Sequence, residues 1–378
     1  MNYDLRRYQA WLIVFSSFTI YAYIVSTIGP MIPKIFSDFP TKYELQGFII
    51  SLYSLMGFAA IFGGHIYDRF GPRTNSLALM LLGIGMIILL TSSNIVFIGI
   101  SLIILGLGAA VIEAASSAIS VDIYQERRGM SLNLLHFAWN VGSTIGPPTA
   151  VTIVIYSNSW RNVYITPLII VSLLSVLSYK FFADNKPIIN AKSKIFINIR
   201  KTLQVTIVAM FIVSLERAIG LWLPTLLSVI GIETITMGLT MGLYWALMGV
   251  GRIFWSIFTD RLGYGRTILL TVVIATLILS IAAVSSSIEI KLFFWPLTGF
   301  FLAPIYPNII AWITKNQLAS SGYASGLTFT MGSVGSLFIT NVIGLSMSLW
   351  GIESIQFIYP VLSLLASLYT LCIYLKHK

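Results

Sequence analysis

The chain has 378 residues, 57% of them hydrophobic and only 10% charged, with a formal net charge of +10 and a mean hydropathy of +0.89. That balance excludes a soluble domain with a polar exterior, and cations spread over many loops form no single basic face for a nucleic acid. The one cysteine, Cys372, leaves no internal disulfide to expect.

Apolar runs near the ~20 residues needed to cross hydrocarbon recur along the whole sequence. Twelve are expected, in chain order: Trp11–Ile32, Gln46–Ile66, Asn75–Thr91, Asn94–Val121, Met130–Tyr156, Val163–Phe182, Leu203–Ile230, Met237–Phe258, Thr267–Ser285, Leu292–Ile313, Gly322–Ser348 and Ile352–Tyr374. The runs are continuous rather than alternating, so helices and not barrel strands satisfy the backbone in lipid. The head MNYDLRR leads directly into the first run, which can itself act as the insertion signal.

Lysine and arginine concentrate on one side of this arrangement. With the amino terminus cytoplasmic, Lys34, Lys42, Arg161 and Lys291 are the only ones in segments on the far side, which places both termini in the cytoplasm. The expected architecture is an all-α membrane protein of twelve transmembrane helices in two six-helix bundles, residues 1–182 and 203–378. A cytoplasmic linker, residues 183–202, joins them; it contains NKPIINAKSKIFINIRKT, which either lies at the lipid interface as a short amphipathic helix or is a plain solvated connector.

The loop after the second run, GGHIYDRFGPRT, holds Asp68, Arg69 and Arg73. A second cluster, DRLGYGRT, holds Asp260, Arg261 and Arg266 after the eighth run. Gly71 and Gly263 relax the backbone for a tight turn, the aspartates can satisfy free amides or pair with arginines, and the arginines anchor helix ends among headgroups. One such cluster alone reads equally as an ordinary charged loop. Its recurrence at the equivalent place indicates an internal repeat.

Within the spans, ionisable groups stand out, because one at mid-bilayer costs about 2.5–3.5 kcal/mol on insertion scales and calls for a partner or a function. On the fourth, Glu113, Ser116, Ser117 and Ser120 fall on one side at about 100° per residue. Desolvation disfavours a charged carboxylate, which suits a group that loads and releases a proton; a neutral acid bonded to serines for packing is the alternative. On the fifth, Asn133, His136, Asn140 and Thr144 form one narrow polar ridge offering both donors and acceptors to a hydroxyl-rich solute. Gly142 and Gly146, before Pro147 and Pro148, are expected to serve close helix packing.

On the seventh span Glu216 and Arg217 are adjacent and too deep to reach water, and their directions differ by about 100°, so they do not neutralise each other face to face. One of them is expected to face a central cavity. Trp222, and on the tenth span Tyr306, Asn308 and Trp312, offer stacking surfaces for a ring-shaped solute, with ordinary packing as the plainer role of each. Pro304 and Pro307 should bend the tenth span. Arg252 is expected near the cytoplasmic end, with the second charged loop.

These motifs together resemble a known family. Gly64-x-x-x-Asp68-Arg69-x-Gly71-x-Arg73 is similar to the signature loop of the major facilitator superfamily, and Ser256-x-x-x-Asp260-Arg261-x-Gly263-x-x-Arg266 to its degenerate second copy. Gly106-Leu107-Gly108 with Glu113-Ala114-Ala115, LNLLHFAWNVGSTIGP at 132–147, LERAIGLWLPT at 215–225 and PIYPN at 304–308 resemble helices of the fucose, galactose and glucose:proton symporter group. The resemblance implies a cytoplasmic latch built on the two loops, and it favours Glu216 over Arg217 as the cavity-facing group. The chain departs from the pattern in Pro72, in Ser116 and Ser117 where an asparagine is usual, and in lacking a first-helix aspartate.

The expected function is secondary active transport of a small polar solute, a sugar in the first instance, by alternating access with proton coupling. Glu113 leads as proton carrier, with Glu216 and His136 beside it, and the ridge binds solute. Proton-coupled export of drugs or organic anions is the alternative. A non-transporting sensor would need an added signalling segment, and an enzyme a catalytic constellation, that the sequence does not display. No phosphate-cradling loop or metal-ligand spacing is apparent, so no cofactor is expected. The expected partners are solute, protons and lipid, for a monomer in the plasma membrane.

Overall fold

The computed structural model describes residues 3–60, 66–67, 69–124, 128–183, 199–315 and 321–376. Nearly all of them are helical. In chain order the helices are α1 (Tyr3–Asp38), α2 (Tyr43–Leu55, continued by a 3-10 turn Met56–Ala59), α3 (Thr74–Leu90), α4 (Ile95–Ile123), α5 (Arg128–Ser157), α6 (Ile165–Phe181), α7 (Ile199–Val229), α8 (Thr234–Leu262), α9 (Tyr264–Val284), α10 (Ile288–Leu302), α11 (Ile305–Lys315), α12 (Ser321–Trp350) and α13 (Ile355–Lys376). With α10 and α11 as two parts of one rod, twelve rods result, as the apolar runs predict.

Ten stretches are long and apolar enough by themselves to cross a membrane among the described residues. The α2 and α5 rods are not among them. For α5 the reason is its polar ridge and two internal prolines, tolerable only on a rod shielded by neighbours.

Local chemistry sets the ends. The Asn94 side chain caps α4 by accepting from the amides of Val96 and Phe97 at 3.0 and 3.3 Å, and the Ser287 hydroxyl accepts from Ile290 at 3.2 Å to start α10. Gly263 alone separates α8 from α9, at φ 84°, and Gly71 takes φ 60° before α3, a region open to glycine at little cost. The α10/α11 break falls at Ala303–Pro304, where the prolines at 304 and 307 bring no amide donor. The expected linker 183–202 falls mostly outside the described residues. Its last residues, from Ile199, instead begin α7.

α1 packs on α5, α3 on α4 and α6, and α2 on α4; in the second half α7 packs on α12 and α13, α9 on α13, and α8 on α10. Buried polar side chains pin these bundles. The Asn75 amide donates to Ser17 Oγ and to Ser178 Oγ, both at 3.0 Å, tying α3 to α1 and α6.

The halves meet along three seams, α1 with α7, α2 with α12, and α5 with α8. Small residues make them close. A Cβ on Gly29 would overlap the Gly220 carbonyl, and one on Gly47 would meet the Thr340 carbonyl oxygen at 2.8 Å. A Cβ on Gly238 would overlap Val151, and one on Gly242 would meet the Thr144 carbonyl oxygen at 2.9 Å. Gly29 lies toward the Asp38 end of α1, Gly47 near the start of α2 and Gly238 near the start of α8. These approaches lie toward the end away from the chain termini, and a further one, where a Cβ on Gly57 would overlap the Ser333 side chain, lies deeper along the α2/α12 seam. At the end away from the termini Ser348 of α12 also donates to Glu44 of α2.

Candidate functional site

Between the halves lies a cavity of about 110 Å³, lined by α1, α2, α4, α5, α7, α8, α11 and α12. Holding one water takes only about 10–15 Å³ by the same measure, so several waters or a small solute fit.

Four ionisable side chains converge on it: Glu113 from α4, Glu216 and Arg217 from α7, and Arg252 from α8. Glu113 is 7% exposed and lies within electrostatic reach of both Arg217 and Arg252. Neither carboxylate forms an ion pair with either arginine. Arg217 Nη1 donates to Ser333 Oγ at 2.8 Å, and its guanidinium lies over the Phe329 ring at 4.8 Å from the centroid. Arg252 Nη1 crosses between halves to the backbone carbonyl of His136 at 3.1 Å.

Aromatic rings form the rest of the wall. His136 meets Tyr306 edge-on at 5.7 Å between centroids, and Tyr21 meets Trp139 at 4.9 Å. Tyr53, Trp245 and Phe329 complete a surface that is mostly apolar with a few convergent polar groups, the composition usual for a ligand pocket.

The structure sorts the sequence-based site residues. Glu113, Glu216, His136 and Tyr306 line the cavity. Both members of the Glu216–Arg217 pair do so, where one was expected. Arg252, expected with the cytoplasmic cluster, instead lines the cavity: α8 runs on to Leu262, and ten residues of helix separate Arg252 from that end by about 15 Å.

The ridge on α5 divides. His136 faces the cavity, whereas the Asn140 amide turns back to the His136 carbonyl at 3.2 Å and its Cβ lies 3.2 Å from where a Cβ on Gly249 would stand. Thr144 packs its carbonyl on Gly242, so the ridge below His136 belongs to the α5/α8 seam. The Asn133 side chain lies outside the described residues.

Trp222 is fully buried and away from the cavity, and Asn308 donates to Thr259 Oγ1 at 3.3 Å within its own half. Ser116 donates to Asn75 Oδ1 at 3.4 Å, so the polar stripe on α4 splits between cavity and bundle packing. Gly142 and Gly146 serve packing against α1, where added Cβ atoms would overlap Thr19 and Ser26.

Of the charged loops, Gly64, Asp68 and the Asp260 side chain lie outside the described residues. Arg69 is exposed and lies over the neighbouring Phe70 ring, and Arg261 is exposed. Arg73 Nε donates to the Phe182 carbonyl at 3.4 Å, and Arg266 Nε to Tyr374 Oη at 2.6 Å. Each of these two bonds stays within one half. Tyr21, Tyr53, Trp139 and Trp245 escaped the sequence reading, although Trp139, three residues beyond His136, shares its helical face.

The profile of the Major Facilitator Superfamily matches residues 14–340. A search of the curated proteins found no match. Among solved structures the chain is similar to one described as "Crystal structure of D-xylose-proton symporter", with a TM-score of 0.78 and 13% sequence identity, over 98% of this chain and 97% of that one.

Proposed function

Because the chain belongs to the Major Facilitator Superfamily, we propose that it is a secondary transporter that moves a small polar solute by alternating access with proton coupling. The observation that carries this reading is the central cavity into which Glu113 and Glu216, one from each half, project with no ion-pair partner among the described residues. A carboxyl group in such a place takes up and gives back a proton as water access switches from one side to the other. Likeness in fold to a D-xylose-proton symporter supports coupling of this kind, and makes sugars one candidate class.

With the chain termini cytoplasmic, as the lysine and arginine distribution argues, the seams at Gly29, Gly47 and Gly238 lie on the outer side, which supports reading this arrangement as sealed outward. In the plasma membrane, solute entering from outside would require those seams to part. His136 and Tyr306 line the solute path as a contact between halves, and the charged loops carrying Asp68, Arg69, Arg73, Arg261 and Arg266 act as the cytoplasmic latch in the opposite state. The protein works as a monomer, because each copy holds its own path.

The test is uptake by proteoliposomes of labelled glucose, gluconate, lactate and lactamide under an imposed proton gradient. Accumulation above equilibrium that collapses with a protonophore is expected for at least one. Equilibration that ignores the gradient for every compound transported argues for a uniporter, and outward pumping from loaded vesicles for an exporter.

A further inference from the structure

Among the described residues, neither of the cavity's two arginines is in ion-pair contact with a carboxylate. An arginine does not give up its proton in a protein, so Arg217 and Arg252 remain cations whatever happens around them. Their hydrogen-bond acceptors are a serine hydroxyl, a backbone carbonyl and the Met248 thioether, all neutral. Arg252 Nε is buried without any acceptor, and so is Nε1 of Trp245, which also lines the cavity.

Such a lining offers donors in excess. A neutral polyol brings donors and acceptors in equal measure, but a carboxylate brings acceptors only and can take two parallel bonds from one guanidinium. Both arginines come from the same half, on α7 and α8, and line the same cavity. Burying two cations whose counter-charges stand only at a distance is costly, and a bound anion in direct contact lowers that cost.

Glu113 and Glu216 are the counter-charges at hand. When both are ionised they balance the two arginines at a distance; when one takes a proton, the cavity gains a net positive charge. Glu113 is faced by Tyr21 of α1, Tyr53 of α2, His136 of α5, Arg217 of α7, Arg252 of α8 and Tyr306 of α11, and Glu216 by Arg217, Arg252 and Tyr244. None of these adds a second negative charge at neutral pH to hold an extra cation.

We infer that the transported solute is a small organic anion, its carboxylate received by Arg217 and Arg252. Proton and anion then favour each other's binding, each making room for the other's charge, and move together. This rests on the reading of the cavity as the transport site.

The experiment measures binding to the purified full-length protein by thermal shift and calorimetry with two matched pairs, gluconate against glucose and lactate against lactamide. An anion is expected to bind at least about tenfold more tightly than its neutral counterpart. Arg217→Gln and Arg252→Gln should each weaken that anion about tenfold or more, with part of the affinity kept in Arg252→Lys, while both variants keep a cooperative melting transition. Equal or better binding of the neutral member overturns the inference, as does the absence of binding by either anion, or anion binding indifferent to both arginines. If glucose alone is accumulated under a proton gradient, the transport reading stands and the anion inference falls. If an anion binds through the arginines but no proton gradient drives it, the arginine site for a carboxylate stands and the joint movement of proton and anion falls.

Discussion

Arg252 of α8 donates to the backbone carbonyl of His136 on α5 at 3.1 Å, and by this bond the second half holds the first at the level of the cavity. The acceptor is main chain, so the two residues differ in what their loss removes. Arg252→Gln removes a charge-assisted bond worth about 1.5–3 kcal/mol and should lower transport at least tenfold by about that energy. His136→Ala keeps the bond; between the halves it loses the edge contact with Tyr306, worth about 0.5–1.5 kcal/mol, its other edge contact, with Phe18, lying within the first half. Initial uptake rates, compared after normalising for folded protein, should rank parent, His136→Ala, then Arg252→Gln; the opposite order of the two variants would deny the bond its role.

Glycines on and off the seams separate fold stability from conformational preference. A Cβ at Gly29 overlaps the Gly220 carbonyl of the other half, and one at Gly335 overlaps the Met210 carbonyl of the same half. Gly335→Ala overpacks a bundle, at about 1–3 kcal/mol, and should lower the melting temperature. Gly29→Ala can be relieved by parting the halves. It should leave the melting temperature near the parent's while raising thiol labelling of a cysteine at Ile50, a cavity-lining position, severalfold in a Cys372→Ser background.

Glu44 gives the closed end a pH dependence. It precedes the second apolar run, and the hydroxyl of Ser348, with its own backbone amide second, holds its carboxyl below the usual carboxylate range. A group depressed in the closed state contributes to closure above its free value of about 4.3 and loses that contribution as pH falls through the lower one. Labelling at position 50 by a dithiodipyridine, which reacts with thiols in acid, divided at each pH by that of the same cysteine in unfolded protein, should therefore rise as pH drops from 7 to 3, and Glu44→Gln should flatten the profile. Glu44 is exposed, so the effect is modest.

Much of this was readable from residue order alone, for physical reasons. Twelve rods follow from unbroken apolar runs, since lipid leaves the backbone no other solution. Glu113 was legible because a carboxylate in a span needs a reason. Arg252 was misplaced because an apolar run expected to stop at Phe258 continues as helix through Asp260 and Arg261 to Leu262, where charged side chains do not interrupt backbone bonding. Periodicity put His136, Asn140 and Thr144 on one face of α5, but which part of that face meets a cavity and which meets α8 depends on where the neighbouring half sits. Trp222 and Asn308 failed for the same reason: a helix tells which residues share a side, and packing alone tells what lies beyond it.

Proton coupling stands most directly on Glu113. In proteoliposomes, Glu113→Gln should still exchange labelled for unlabelled solute across the membrane at a rate near the parent's, because an amide keeps the neutral shape of the protonated carboxyl, yet fail to accumulate solute when a proton gradient is imposed. Uphill accumulation by Glu113→Gln equal to that of the parent would contradict it.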